Sequence, residues 1–166
     1  MAFFSFLQLD SVKGTCTEDG HVDWIDVKEF QYALQHTLAG DMHSQGAITG
    51  GIVQQGDLVI KKSIDASSPV LSLYCCQSKN IGKAVMDVCR MINGKKVAYI
   101  KYTMENVAIT SLAPGGKAGE KGDDVPVETI TLRPSVIRWE YVPTGQDGPK
   151  AAVKHGWNFP KQSQDC

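Results

Sequence analysis

Only one stretch of this chain has the start of a helix written into it, and that confines most of the rest to strands. In Ile64-Asp65-Ala66-Ser67-Ser68-Pro69-Val70-Leu71-Ser72-Leu73-Tyr74-Cys75-Cys76-Gln77, Ser68 precedes a proline, which pushes it out of the α region and suits it to be an N-cap. Pro69 then takes the first helical position, where a missing N–H costs nothing. Val70, Leu71, Leu73, Tyr74 and Cys75 place apolar groups around most of the circumference, which predicts a short helix buried on several sides. Nearly everything else reads as strand or loop. The expected fold is mainly β, a two-sheet β-barrel or sandwich with one short α-helix packed on it.

Phe3 to Leu9 is a first strand, followed by a polar connection from Asp10 to Gly20 that ends in the turn pair Asp19-Gly20. Val22 to Leu34 is rich in Val, Ile, Trp, Phe and Tyr, which favours a strand over a helix. It places Ile25, Val27 and Ala33 on one face and Val22, Trp24, Phe30 and Tyr32 on the other. Apolar groups on both faces imply that one side meets the core and the other a partner. From His36 to Asp57 the pattern breaks down, with Gly40, Gly46, Gly50, Gly51 and Gly56 among Leu38, Met42, Ile48, Ile52 and Val53. A loop this long inside a compact domain is usually functional or disordered. Its apolar residues argue against disorder and for burial on a neighbouring subunit.

Leu58 to Ile64 returns to strand and feeds the helix. Lys83 to Ile92 has mixed periodicity. The Asn93-Gly94 pair that follows is a hairpin turn signal, which makes it a strand paired with Val97 to Met104. Val107 to Leu112 extends that strand through a bulge at Glu105-Asn106. After the loop Pro114 to Gly122, Val127 to Val142 is a strand pair with Ile137, Trp139 and Tyr141 inward and Arg138 and Glu140 outward. A last strand from Ala151 to Phe159 precedes a polar tail from about residue 160 to 166. No internal repeat or second domain is visible, so residues 1–166 are expected to form a single domain.

The 166 residues suffice for a sizeable core. A formal net charge of −1 with no basic block argues against nucleic-acid binding, and no apolar run reaches the length of a membrane span. The apolar N-terminus lacks a charged region and a cleavage site, so it reads as a strand and not a signal peptide. Five cysteines (Cys16, Cys75, Cys76, Cys89, Cys166) without C-x-x-C spacing fit reduced thiols better than a disulfide framework.

Motifs for chemistry fail on inspection. Gly46-Ala47-Ile48-Thr49-Gly50-Gly51 lacks the Lys and Ser/Thr of a phosphate loop. Gly115-Gly116-Lys117-Ala118-Gly119 is followed by a strand, so no helix N-terminus would hold a phosphate. Glu18, Asp19, Asp23 and Asp26 with His21 lack calcium-loop alternation and zinc spacing, and read as a solvated turn. Cys75 and Cys76, expected on a buried helix, show no activating feature. No catalytic residue, cofactor or metal is expected.

Several blocks together have a familiar order: Phe6-Leu7-Gln8-Leu9-Asp10 with Val12-Lys13-Gly14, then Gly20 to Val27, Lys61 to Leu71, Glu128 to Tyr141 ending Ile137-Arg138-Trp139-Glu140-Tyr141, and Gly156-Trp157-Asn158. In these the chain resembles the hemolysin-coregulated protein (Hcp) family of bacterial type VI secretion systems. The resemblance implies a phage tail-tube-like two-sheet β-barrel. It also implies homohexameric rings that stack into a hollow tube, with a spike protein at the tip and a contractile sheath around it. Small effector proteins would travel in the lumen, with no nucleic acid or membrane as partner. The protein would be cytoplasmic when made and secreted through the type VI system without a signal peptide. Cys16 and Thr17 stand where acidic or serine residues are more usual, and Lys161 to Cys166 runs past the common ending, which bears on effector preference more than on fold. Self-assembly is assigned to Leu38, Gly40, Met42, Ile48 and Gly50 in the long loop and to Trp24 and Phe30 on the two-faced strand, with Ser68 and Pro69 as the structural helix cap. Closed rotational symmetry requires one patch to meet a different patch, which a projecting loop can do. The competing classes are a monomeric β-barrel with an apolar ligand pocket and a small Cys/His hydrolase.

Overall fold

A computed structural model describes residues 2–38, 51–118, 125–145 and 148–165. The fold is mainly β. Strand β1 (Phe3–Leu9) lies between β2 (Ile25–Val27) and β7 (Lys83–Ile92), and the sheet continues through β8 (Lys95–Glu105), β11 (Val136–Tyr141), β14 (Val153–Asn158) and β15 (Ser163–Gln164) to seven strands. A second sheet has four, in the order β3 (Glu29–Tyr32), β6 (Leu58–Ser63), β10 (Val127–Arg133) and β9 (Ala108–Gly115). Two short hairpins complete the inventory, β4 (Gln35–Leu38) with β5 (Gly51–Gln54) and β12 (Thr144–Gly145) with β13 (Gly148–Pro149). Among the described residues no ladder joins the two large sheets into a closed barrel.

Alternation explains the core. Leu7, Leu9, Ile25, Val27, Ala84, Met86, Val88, Met104 and Ile137 point from the larger sheet, and Leu58, Ile60, Ile109, Ile130 and Leu132 from the smaller, into one buried cluster. Phe6, Cys16 and Cys89 form a second cluster on the far face of the larger sheet, with Phe4, Trp24 and Ala98 at its margin. The β7–β8 turn is the one read from sequence: Asn93 and Gly94 take φ 49° and 76°, the left-handed pair that matches the twist of a two-residue hairpin.

The chain changes sheet at three corners that local pattern does not reveal. Val22 to Leu34 is not one strand, because β2 pairs with β1 whereas β3 pairs with β6, and the break falls at Lys28, whose N–H donates to Lys61 O at 2.8 Å. The corner shifts the phase by one residue. Ile25 and Val27 before it are buried, and Phe30 and Tyr32 after it also pack on the core, so the two apparent faces turn toward one interior. Val107 to Leu112 likewise does not prolong β8. Asn106 turns at φ 52° and β9 joins the other sheet. At Pro134-Ser135 the chain returns, so β10 and β11 are consecutive but unpaired.

Helix α1 (Ser68–Cys76) is present, but its cap is one residue earlier than expected. Ser67 is the N-cap, its carbonyl accepting from Leu71 N–H at 2.9 Å, and it makes no side-chain cap bond. Ser68 is the first helical residue and Pro69 the second. Only Leu71 of the apolar set is fully buried, and Leu73 is 52% exposed, because the helix packs on one side, mainly against β9. Cys76 accordingly lies on the surface. The polar tail is partly ordered as β15, paired with β14 at Trp157 and Asn158.

Candidate assembly surface

The central three strands of the larger sheet's outer half carry the feature that matters most. Residues opposite one another across a ladder share a face. Met104, Ile137 and Trp157 form one such row, and the first two are completely buried. Two residues further along, Tyr102, Trp139 and His155 form the next row on the same face. The third row is Ile100, Tyr141 and Val153, and here Tyr141 is 47% and Val153 56% exposed. The core-facing surface of the larger sheet therefore runs on past the end of the smaller sheet. The overhang forms an open recess of about 330 Å³ lined by Ile100, Tyr102, Trp139, Glu140, Tyr141, Val153 and His155. Tyr141, expected inward from its alternation, does point to the core face, where the described residues cover about half of it and Tyr99 meets its ring edge-on at 6.3 Å.

The expected long loop begins and ends as a hairpin stem. Gln35, His36, Thr37 and Leu38 pair with Gln54, Val53, Ile52 and Gly51 in a ladder separate from both large sheets. A side chain at Gly51 would collide with the carbonyl oxygen of Thr37 and the ring of His36, so glycine is required for this close approach. Ile52 is 66% exposed on the stem, whereas Val53 packs against the main core. Leu38 closes the stem opposite Gly51, and Gly40, Met42, Ile48 and Gly50 lie outside the described residues. Trp24 and Phe30 are not on a free face. The Trp24 ring meets His21 edge-on at 4.7 Å, and Phe30 meets Phe3 and Tyr102 edge-on, each at 6.1 Å. Phe30 thus borders the recess through Tyr102, and Trp24 sits under the Asp10–Gly20 connection.

Beneath the smaller sheet lies a polar network that the motif search missed. Lys62 is fully buried and faces Glu128 across the β6–β10 ladder, its Nζ 2.7 Å from Glu128 Oε1. The same ammonium donates to Asp65 Oδ1 and Ser63 O at 2.9 Å and to Ser68 Oγ at 3.2 Å. Ser68 Oγ donates to Glu128 Oε1 at 2.6 Å and accepts from the Asp65 N–H at 3.0 Å. Ser68 therefore anchors the helix start to two strands. Burial alone would push the Asp65 carboxyl up, but hydrogen bonds from Ser67 and Lys62 overcome it and hold the group below its ordinary value. The signal was available: Lys62 is in phase with Leu58 and Ile60, and Glu128 with Ile130 and Leu132, so opposite charges stood at core-facing positions of two strands.

His21 is also buried, not part of a solvated turn. It stacks on Phe6 with ring centres 4.3 Å apart, and its Nε2 lies 3.1 Å from Asp87 Oδ2. Cys89 Sγ lies 4.0 Å from that same nitrogen, but Asp87 already occupies it. Burial, then the charge of Asp87, pushes the Cys89 thiol up to about 11. A nucleophilic cysteine needs the opposite shift and an access route. Glu18 pairs with Lys96 at 2.6 Å instead of joining a ligand set, and the described residues contain no cluster arranged to hold a metal ion. No helix among the described residues is long and apolar enough to cross a membrane.

Among the described residues, two facing sheets with a separate hairpin stem, a half-exposed apolar recess and no arranged catalytic or metal cluster define a structural β protein. Comparisons with known proteins name its kind. The profile of the family described as "Type VI secretion system effector, Hcp" matches residues 6–141. Protein hcp1 of Pseudomonas aeruginosa is 31% identical over 166 residues, covering 99% of this chain and 99% of that protein. A solved structure described as "Structure of a type six secretion system protein" superposes with a TM-score of 0.88 at 28% identity, covering 99% of this chain and 100% of its own. The crystal structure of Hcp1 from Salmonella typhimurium has a TM-score of 0.77 at 24% identity, covering 99% and 100%. The chain belongs to the Hcp family of type VI secretion, whose members are secreted structural tube proteins and not enzymes.

Proposed function

We propose that this chain is the repeating subunit of a type VI inner tube, closing into homohexameric rings that stack and carry small effector proteins in the lumen. On this reading residues 1–166 act as one tail-tube-like domain, with the two sheets serving as a barrel wall. A spike protein meets the tube tip and a contractile sheath surrounds it, and the chain is made in the cytoplasm before export. The observation that supports it is the pairing of a half-exposed apolar recess with a hairpin stem that belongs to neither large sheet on the same molecule. Ring closure needs a heterologous contact, and a convex arm entering a neighbour's concave recess provides one. Ile52, Tyr141 and Val153 each forfeit up to about 1.5–3 kcal/mol in an isolated subunit relative to full burial. Leu38, Gly40, Met42, Ile48 and Gly50 belong to the arm in this scheme. Phe30 flanks the recess, and Trp24 contributes only the edge its own cluster leaves uncovered. A net charge of −1 keeps repulsion between packed copies small.

Replacing Gly40 to Gly50 by a brief Gly-Ser linker tests the reading. Circular dichroism and subunit stability should change little, because loop closure depends weakly on length. Native mass measurement should show the rings lost or much weakened. A shortened protein that still runs as a stable hexamer would refute the arm contact.

A further inference from the structure

The arm stem shares no ladder with either large sheet, and its root is tied to the C-terminal segment by one side chain. In an antiparallel pair, alternate residues direct both backbone groups away from the partner strand. Val53, opposite His36, directs its pair toward Gln162, whose amide replaces a missing neighbour strand. Gln162 Oε1 accepts from Val53 N–H at 3.1 Å, and Gln162 Nε2 donates to Val53 O at 3.2 Å. The same Nε2 donates to Phe159 O at 2.8 Å, and Phe159 is 5% exposed in the main core. The link thus runs from core to tail to arm through one amide. Gln162 sits at φ 48°, a left-handed conformation that a glutamine adopts at a cost, in the turn that leads into β15. On the other side of the same root, Gln55 Nε2 donates to Pro134 O.

We infer that Gln162 is a positioning residue for assembly. Through Val53 it sets the angle at which the β4–β5 stem leaves the body and so presents the arm to the next copy. The inference rests on the arm reading above. It gives the segment after Phe159 a task in this chain, since both the donor and the acceptor of the latch come from a residue in it. A side-chain amide supplies the donor and the acceptor together on separate atoms.

Gln162→Gly separates positioning from turn structure. Glycine suits the left-handed turn better than glutamine, which offsets part of the loss of the amide's three hydrogen bonds. The variant should therefore still fold, with a melting temperature at most a few degrees below that of the wild type. Two hydrogen bonds to Val53 are lost, so the Val53 amide should exchange about five- to tenfold faster. Rings should dissociate at protein concentrations about tenfold above those that dissociate the wild type. Gln162→Ala, which keeps the strained turn but not the amide, should match it in exchange and in ring dissociation. Unchanged Val53 exchange in both variants would show that the latch does not hold the stem. Faster exchange with undiminished rings, while the arm-shortened protein loses its rings, would overturn the positioning role and leave the arm reading standing. Stable rings in the arm-shortened protein would overturn both.

Discussion

Lys62 and Glu128 bring opposite charges to the core face of the smaller sheet, and their pairing is what makes that placement tolerable. Removing one partner of a buried pair typically costs about 3–5 kcal/mol, because a charge is left behind without compensation. Lys62→Met should destabilise the chain on that scale in urea unfolding, and Glu128→Gln by less, because Asp65 still faces the ammonium at 2.9 Å. The double variant Lys62→Met, Glu128→Leu should regain most of the loss. Equal or additive damage in the double variant would mean that the network does more than cancel charge. Cys89 gives a pH test. Its thiol is held up to about 11 in the folded chain against an ordinary 9.0, so unfolding releases a proton above that ordinary value. The contribution to stability is complete below pH 9 and is lost as pH rises through the folded value. Cys89→Ala should therefore show a shallower alkaline decline in melting temperature than the wild type.

Helix α1 shows how an element can be correctly located and wrongly oriented. Pro69 and the apolar run placed it within one residue, but a helix with apolar groups all round does not say which side docks. Packing on one side, mainly against β9, buries Leu71 in the main core and leaves Leu73 at 52% exposure. Leu71→Ala should cost about 2–5 kcal/mol, whereas Leu73→Ala should stay within about 0.5 kcal/mol. Thermal unfolding of the two variants side by side checks the orientation, and equal losses would contradict it. Ser68, expected to be the N-cap, is instead the first helical residue, and its hydroxyl works on Glu128 and the Asp65 N–H.

At the scale of the molecule, the third row of β8, β11 and β14 leaves an apolar recess half exposed, and in the proposed function the arm on the hairpin stem of a neighbouring copy fills it. Tyr141→Lys places a charge on the third row of the recess, where about half of the side chain is exposed. The subunit should keep its melting temperature, since half-exposed positions at a strand end accept such changes within about 0.5 kcal/mol. Ring formation should weaken by about 1–2 kcal/mol or more per contact, as truncated or charged anchors in apolar interfaces do. Native mass titration reads that loss directly. Rings of undiminished strength would place the subunit contact elsewhere on the surface.

Strand β1, the β7–β8 hairpin, β6 and the presence of one short helix were legible because each depends on neighbours a few residues away: alternation, a turn pair, a proline after a serine. The family was legible because blocks of such local pattern kept their order along the chain. The corners at Lys28, Asn106 and Pro134 were not, since alternation describes a residue relative to its neighbours and says nothing of which sheet the strand joins. That is why Phe30 and Tyr32 looked like an outer face and turned out to share the interior with Ile25 and Val27. His21 sat among acidic residues in sequence, and only folding carried it under Phe6 and onto Asp87. The phase of Tyr141 was readable, but its exposure was not. A side chain is buried only where a second sheet extends far enough to cover it, and the reach of that sheet is set by pairings between segments distant in the chain.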